Sequence, residues 1–238
     1  MFGLFKKKPE RPHVAAVIAA GGSSTRMKGG NKLLAEVAGM PVLAHTLRAF
    51  EANGNIDEIV IVAREDLLLD YADLARTFEI FKVSQVVSGG ASRAESVYKG
   101  VYACGPDCAY VLVHDGARPL VTAEVIDRVV EKTIETGCAA AVVPVNDTIR
   151  VIDPDTGAIT LADRSRMRAM QTPQGSDRQL LAAALKNCID KGITATDDCA
   201  ALEALGAKPA LVDGSFRNIK ITTAEDLAIA AALFEEEI

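Results

Sequence analysis

Glycines, serines and basic side chains are concentrated at residues 19–32, whose sequence is AAGGSSTRMKGGNK. An apolar run at 14–18, typical of a buried parallel strand, comes before this loop, and a helical pattern comes after it. Backbone N–H groups in such a loop can face an anion, because glycine tolerates close approach and positive φ. Arg26 and Lys32 add two cations. The loop therefore predicts a polyphosphate site, and a turn without a ligand is the alternative.

The loop differs from two familiar nucleotide motifs. It lacks the Gly-Lys-Ser/Thr ending of a Walker A sequence, and it does not follow the G-x-G-x-x-G dinucleotide pattern. These differences favour a nucleotide triphosphate that is bound in another way.

A second Gly- and Ser-rich segment, GGASRAES at 89–96, ends a predicted strand and opens a predicted helix. Gly90, Arg93 and Ser96 could contact a base, a ribose or a phosphate. Capping of the helix, with no ligand, is the alternative interpretation.

The segment VHDGARP at 113–119 follows another predicted strand. Its Asp115 is a candidate carboxylate for magnesium, which takes oxygen ligands and keeps several waters. A turn cap paired with Arg118 is the alternative. The histidines show no ligand spacing, and no Ser-His-Asp or Cys-His arrangement can be argued.

Further charged motifs lie in the second half of the chain. Three arginines alternate in DRSRMR at 163–168, and in an extended segment they would share one face, suited to a phosphate. For Arg166 and Arg168 a solvated basic edge is favoured instead. The Thr-Asp-Asp at 196–198 opens a helix, where capping is at least as good an interpretation as catalysis. Lys220 is predicted in a short strand, 218–223, facing the same sheet edge as the first loop.

These motifs need a framework in which strands and helices alternate. The predicted strands are 14–18, 59–63, 83–88, 110–114 and 139–145, and the predicted helices are 42–51, 66–78, 92–102 and 123–136. Ser92 with Glu95, Ser176 with Gln179, and more weakly Thr223 with Asp226 fit capping boxes. The alternation predicts a Rossmann-like α/β fold: a mostly parallel sheet with helices on both faces and ligands at the carboxyl ends of the strands.

One segment interrupts this alternation. Residues 147–164 alternate apolar and polar side chains around the turn sequence PDTG at 154–157, which predicts an inserted β-hairpin. A lone hairpin is marginal in water, so a second copy of the chain is expected to cover it, giving a homodimer. We predict one domain over 1–238, with a dimerisation arm at 147–168 and a flexible basic tail at 1–12.

Composition narrows the class of protein. The chain has 238 residues and a net charge of −6, which argues against a nonspecific nucleic-acid binder. No apolar run approaches the length of a membrane span. Its five cysteines include no C-x-x-C pair, so we expect free thiols in a reduced, cytoplasmic protein.

Taken together, the motifs resemble those of one family, the 2-C-methyl-D-erythritol 4-phosphate cytidylyltransferases of the non-mevalonate isoprenoid pathway. The likeness runs in matching order from about residue 14 to the C-terminal helix. It rests on the first loop, the 89–96 and 113–119 segments, Asp147-Thr148, Asp163-Arg164-Ser165, Gln171-Thr172-Pro173-Gln174, Thr196-Asp197-Asp198 and Asn218-Ile219-Lys220-Ile221-Thr222.

The resemblance implies a reaction and a set of site residues. CMP would pass from CTP to the erythritol phosphate, with release of pyrophosphate and a requirement for Mg²⁺ or another divalent cation, for which Asp115 is the candidate ligand. The implied catalytic residues are Arg26, Lys32 and Lys220. The implied CTP contacts are Ala20, Gly21, Gly22, Ser23, Gly90, Arg93, Ser96, Asp115 and Gly116. The implied substrate contacts are Thr148, Arg164, Thr172, Lys220 and Thr222, the first two reached from the arm of the neighbouring subunit.

Two rival functions are kept. A ribitol-5-phosphate cytidylyltransferase would share the first loop and the Asn-Ile-Lys segment, although His-Asp-Gly-Ala-Arg and Asp-Arg-Ser favour the erythritol enzyme. A noncatalytic nucleotide-binding scaffold would be expected to have lost some of Arg26, Lys32, Asp115 and Lys220, and all are present. Cys199 departs from the family pattern, and an exposed thiol there would confer sensitivity to oxidants.

Overall fold

The structure is a computed structural model that describes residues 11–22 and 31–236. The strands are β1 (His13–Ala20), β2 (Glu36–Val37), β3 (Met40–Pro41), β4 (Glu58–Ala63), β5 (Val83–Ser88), β6 (Cys108–Asp115), β7 (Cys138–Pro144), β8 (Arg150–Ile152), β9 (Ile159–Leu161), β10 (Arg168–Asp177) and β11 (Ala210–Asp213). The helices are α1 (Val42–Ala52), α2 (Leu68–Thr77), α3 (Arg93–Ala103), α4 (Ala123–Thr136), α5 (Arg178–Lys191), α6 (Asp198–Ala204) and α7 (Ala224–Glu235). Short 3₁₀ turns occupy Glu65–Leu67 and Arg164–Arg166.

The described residues form a seven-stranded sheet in the order β11-β7-β10-β6-β1-β4-β5. All neighbouring pairs are parallel except those of β10, which runs antiparallel to both β6 and β7. Strand β4 is buried along its whole length, as expected of a parallel strand covered on both faces. The predicted mostly parallel α/β sheet is therefore confirmed.

Helices cover both faces of this sheet and enclose two apolar clusters. Helices α1, α2, α4 and α7 contribute to one cluster, which includes Phe50, Tyr71 and Ile126. Helices α3, α5 and α6 contribute to the other, which includes Val97 and Leu185. The strand ends are thus the part of the sheet that stays open to a ligand.

Glycine brings α3 close to the sheet. A Cβ at Gly100 would come within 2.6 Å of side-chain carbons of both Val17 and Val62. At the start of the same helix, the Ser92 hydroxyl accepts a hydrogen bond from the backbone N–H of Glu95. Cap and close packing together fix the first turn of α3, which borders the candidate site.

The capping boxes predicted for Thr223 and Ser176 have different outcomes. Thr223 and Asp226 form a complete box at the start of α7. The prediction for Ser176 is wrong, because this residue stays within β10 and Asp177 caps α5 by accepting from the N–H groups of Gln179 and Leu180.

Two segments predicted as extended take other forms. Residues 218–223 are not a strand, because several of their backbone groups bond to side chains instead of to a neighbouring strand. The carbonyls of Asn218 and Ile221 accept from Arg118 and Lys32, and the N–H groups of Thr222 and Thr223 donate to Asp226. The arginines at 164 and 166 lie in a 3₁₀ turn, so they do not alternate along a strand. Asp163 causes this turn by accepting from the backbone and hydroxyl of Ser165.

The predicted hairpin is present. Strands β8 and β9 pair antiparallel, and Asp153 orders the turn between them by accepting from Thr156 and from the N–H of Asp155. Its apolar side chains point to solvent in the single chain: Val151, Ile152, Ile159 and Leu161 are all exposed. Dimerisation through this arm stays a prediction.

The structure also bears on the expectations for Cys199 and for the N-terminal tail. Cys199 is buried in α6, so the expected exposed thiol is wrong, and burial raises its pKa above the usual thiol range. Residues 1–10 of the predicted basic tail lie outside the described residues. Within the described part of the chain, no helix combines the length and the hydropathy needed to cross a bilayer.

Candidate active site

A cavity of about 490 Å³ lies at the carboxyl ends of β1, β4, β5 and β6. Its lining includes most of the residues that the sequence assigned to chemistry and that the structure describes: Gly21, Gly22, Lys32, Gly90, Arg93, Ser96, Asp115, Lys220 and Thr222. Segments far apart in sequence thus meet at one sheet edge, where the fold predicts a ligand.

Asp115 at the end of β6 is the acidic side chain in this lining, and it is surrounded by cations. Its Oδ2 lies 3.0 Å from Lys220 Nζ and 3.4 Å from Arg118 Nε. Burial alone would raise the pKa of Asp115, but the charges of Lys220, Arg118 and Arg93 outweigh it, so its pKa lies below the ordinary value. Asp115 is therefore ionised at neutral pH and holds the Lys220 ammonium at the cavity.

Behind Asp115, a chain of hydrogen bonds fixes its backbone. The Asp115 N–H donates to Thr172 Oγ1, which lies 3.1 Å from His114 Nδ1. His114 Nε2 lies 3.2 Å from the carbonyl of Arg118, which can only accept, so Nε2 carries the proton and Nδ1 accepts from Thr172. Burial lowers the pKa of His114 to about 4, which keeps the ring neutral. Thr172, predicted as a substrate contact, is buried here and positions Asp115.

Lys32 is a second lysine in the cavity lining. Its Nζ donates to the carbonyl of Ile221 over 2.8 Å, directly between Lys220 and Thr222. The Thr222 hydroxyl in turn donates to Asp226 Oδ2. The first loop and the 220–222 segment are thus joined by a cation.

The loop between β5 and α3 forms the opposite wall. Gly90 N–H donates to Ser96 Oγ, and the Ser96 hydroxyl donates to Ser92 O. A Cβ at Gly90 would lie 2.4 Å from Glu95 Cβ, so this position has no room for a larger residue. Both the capping and the ligand interpretations of this segment fit the geometry, because the cap shapes the wall of the cavity.

Arg93 at the start of α3 forms a bidentate ion pair with Asp198, at 2.8 and 2.6 Å. Although burial opposes the charge, Asp198 holds the pKa of the Arg93 guanidinium above its usual value. Sequence reasoning assigned no role to Asp198 beyond the helix start. The Thr-Asp-Asp motif drew attention to Asp198, but its partner Arg93 lies far away in the sequence, so the motif could not reveal the ion pair.

Several predicted residues lie apart from the cavity lining. Ala20 and Gly116 border it at the ends of β1 and β6, and the N–H of Gly116 donates to Ala19 O. Thr148 and Arg164 are exposed on the arm, where Arg164 donates to the carbonyl of Asn146. Ser23 and Arg26 lie outside the described residues.

The donor set suits magnesium only in company with a phosphate. Among the residues that the structure describes, no group of three or more His, Cys, Asp or Glu side chains is placed to hold a metal ion. Mg²⁺ commonly binds one or two carboxylates, waters and substrate phosphates. Asp115 fits that pattern as a single protein ligand.

The chain is similar to known proteins along nearly its whole length. The family model of the 2-C-methyl-D-erythritol 4-phosphate cytidylyltransferases (IspD) matches residues 14–236. A protein of that name from Bacillus velezensis is 42% identical over 223 residues, covering 93% of this chain and 95% of the relative. Another from Caldanaerobacter subterraneus is 40% identical, covering 92% and 97%.

Solved structures give the same result. A 4-diphosphocytidyl-2C-methyl-D-erythritol synthase from Anaerococcus prevotii superimposes with a TM-score of 0.83 at 28% identity, covering 94% of this chain and 96% of that one. A 2-C-methyl-D-erythritol 4-phosphate cytidylyltransferase from Thermus thermophilus superimposes with a TM-score of 0.77 at 31% identity, covering 94% and 99%.

The Rossmann-like sheet and its cationic cavity, together with these relatives, identify the chain as a nucleotidyltransferase. Within that class, the chain belongs to the 2-C-methyl-D-erythritol 4-phosphate cytidylyltransferase family. Membership sets the reaction, which is CTP-dependent transfer of a cytidylyl group to 2-C-methyl-D-erythritol 4-phosphate in isoprenoid biosynthesis.

Proposed function

We propose that the cavity at the carboxyl edge of the sheet is where this transfer takes place, with Lys32, Lys220 and Arg26 as its catalytic cations. The observation that carries the proposal is the convergence of Lys220, paired with Asp115 at 3.0 Å, and Lys32, bonded beside it to Ile221 O. A site that joins two polyanions needs cations at this density. Gly21, Gly90 and Ser96 line the part of the cavity assigned to CTP.

The chemistry is an in-line displacement. An oxygen of the substrate phosphate attacks the α-phosphorus of CTP, and the bond to the β-phosphate oxygen breaks as pyrophosphate leaves. The attacking phosphate is ionised near neutral pH, so the step needs no strong general base. The protein's task is to hold two anions together and stabilise the charge that develops.

Mg²⁺ would bind at Asp115 and neutralise phosphate charge when present. The Asp115 carboxylate is held ready by Lys220 and by the Thr172 hydroxyl behind its backbone. The buried His114 takes no part in proton transfer to substrate, since both of its ring nitrogens are used within this support.

Residues of a partner subunit would complete the binding site for the second substrate. Thr148 and Arg164 are exposed on the arm instead of lining their own subunit's cavity, and the arm exposes apolar side chains that a second copy would cover. We therefore place these two residues in the neighbouring site of a homodimer. The free, buried cysteines favour a reducing, cytoplasmic setting.

Pyrophosphate release tests the function. With CTP and Mg²⁺, turnover is expected with 2-C-methyl-D-erythritol 4-phosphate and not with ribitol 5-phosphate. Preference for ribitol 5-phosphate would favour the rival cytidylyltransferase. Silence with both substrates, from protein shown to be folded by circular dichroism, would favour a noncatalytic scaffold.

A further inference from the structure

A buried polar cluster beside the cavity has no part in the reaction as described so far. Its centre is the carboxylate of Asp198, which is 1% exposed and accepts from both Nη atoms of Arg93. A carboxylate this deeply buried is costly unless its charge is paired and its geometry is held. The buried charge of Asp198 therefore points to a role for this cluster.

Gln174 in β10 holds Asp198 from behind. Its Oε1 accepts from the N–H groups of Asp198 and Cys199, both at 2.9 Å. Its Nε2 donates to the carboxylate of Asp197 over 2.9 Å and to the carbonyl of Gln171 over 3.1 Å. The first turn of α6 is thus fixed to the strand that neighbours β6.

Arg93 connects this support to the cavity wall. It is the first residue of α3, directly after the 89–92 loop, and its side chain lines the cavity while remaining only 29% exposed. Bidentate pairing leaves a guanidinium little freedom, because two parallel bonds set its plane. Asp115 and Asp197 are two further carboxylates whose charge acts on Arg93, but only Asp198 forms an ion pair with it among the described residues.

We propose that Asp198 is a positioning residue for the CTP subsite. It holds the Arg93 guanidinium against α6, which fixes the 89–92 loop and Ser96 for the nucleotide. Asp198 itself touches no substrate. This inference rests on the proposed location of CTP in the cavity.

A double-mutant cycle tests it. Asp198→Asn, Arg93→Gln and the double variant are assayed for kcat and for the KM of each substrate. Asp198→Asn is expected to raise the KM of CTP about tenfold or more, a change of about 1.4 kcal/mol, with kcat and the erythritol phosphate KM nearly unchanged. The double variant should be no worse than the poorer single variant, because both remove one interaction.

Matched variants separate the possible outcomes. Asp190→Asn removes a surface ion pair with Lys186 and should change no kinetic constant. Should Asp198→Asn fail to fold, Arg93→Lys supplies the test, since lysine keeps the charge without the two-pronged contact and should raise the CTP KM alone. Additive losses, or equal rises in both KM values, would overturn the proposal. An unchanged CTP KM for Asp198→Asn would overturn it too. If Ser96→Ala likewise leaves the CTP KM unchanged, the error lies in the proposed location of the CTP subsite.

Discussion

At the scale of single residues, the site depends on cations that converge from distant segments. Lys220 is held by Asp115, while Lys32 bonds to the carbonyl next to Lys220 in sequence. Each is positioned by a group of fixed geometry before any substrate arrives. Such preorganised charge stabilises a transition state without reorganisation during the reaction.

Removing one of these cations should reduce turnover and spare the fold. Lys220→Ala, Lys32→Ala and Arg26→Ala are each expected to lower kcat about 100-fold or more, measured by pyrophosphate release. Lys186→Ala is the control, because that lysine pairs with Asp190 on the surface. Near-normal rates for both Lys32→Ala and Arg26→Ala would refute the assignment of catalysis to the first loop.

His114 should make stability depend on pH. Its pKa is about 4 in the folded protein, against 6.5 for the unperturbed group, because the ring is buried. The unfolded chain therefore takes up a proton below pH 6.5 that the folded protein refuses until about pH 4, so stability falls as pH drops through this window. Between pH 7 and pH 5 this costs about 2 kcal/mol.

Urea unfolding of wild type and His114→Gln at both pH values measures this effect. The variant should lose about 2 kcal/mol less than wild type on acidification, whatever its stability at pH 7. Equal losses in the two proteins would show that another group controls the acid response. His45, whose pKa is also lowered by burial, is common to both proteins and cancels in the comparison.

At the scale of elements, α3 is placed by the absence of a side chain. Gly100→Ala would put a methyl group within 2.6 Å of Val17 and Val62, so we expect a loss of about 2 kcal/mol in the free energy of unfolding. Since α3 carries Arg93 and Ser96, the KM of CTP should rise as well. Gly54→Ala meets nothing within 4 Å and is the control, with a change of about 0.5 kcal/mol or less. A stable Gly100→Ala protein would mean that α3 can move away from the sheet without cost.

The sequence predicted helices and strands accurately where residues at their ends mark the boundaries. Helix α4 and strand β5 have the predicted bounds, since Gly137 ends α4 in the left-handed region and turn residues bound the strand. Strand β10 was not among the predicted strands, because its buried side chains are mostly polar and give no apolar pattern: Gln171, Thr172, Gln174 and Ser176. Strand β11 is short and half-exposed, so it has no buried run to detect.

The sequence predicted which residues belong to the candidate site better than it predicted the contacts among them. Motifs identified Asp115, Lys220 and the glycine loops, because each follows a strand end. The pairing of Arg93 with Asp198 joins residues that are 105 apart in sequence, and no local pattern encodes such a contact. The support that Thr172 gives to Asp115 depends in the same way on β10 lying next to β6.

At the scale of the whole molecule, an acidic protein with a net charge of −6 must bind polyanions locally. The cations of the cavity supply that local field, and in the proposed dimer Arg164 from a partner adds to it. Two subunits would then share each site, so lesions in different parts of the chain should complement one another.

Mixing two inactive variants tests this sharing. Lys220→Ala protein combined with Arg164→Ala protein should regain about a quarter of wild-type activity, because half of the dimers would be mixed and each would hold one intact site. Lys220→Ala mixed with Lys32→Ala is the control and should stay inactive, since both lesions lie in the body of the subunit. No recovery in the first mixture, with subunit exchange shown by sedimentation of labelled protein, would place Arg164 in its own subunit's site or in none.

Strand β10 has a consequence for how the arm and the chemistry depend on each other. It begins at the last residue of the arm, Arg168, and within the same strand it carries Thr172 against Asp115 and Gln174 against Asp198. Hydrogen bonds to β7 hold β10 on both sides of an irregularity between Met170 and Gln174, so the arm end and the site end of the strand share one neighbour. In the proposed dimer, a partner that binds the arm would also restrain the strand that supports Asp115 and Asp198. Dissociation of the proposed dimer would then remove the partner's contacts to the substrate and also release this restraint on β10.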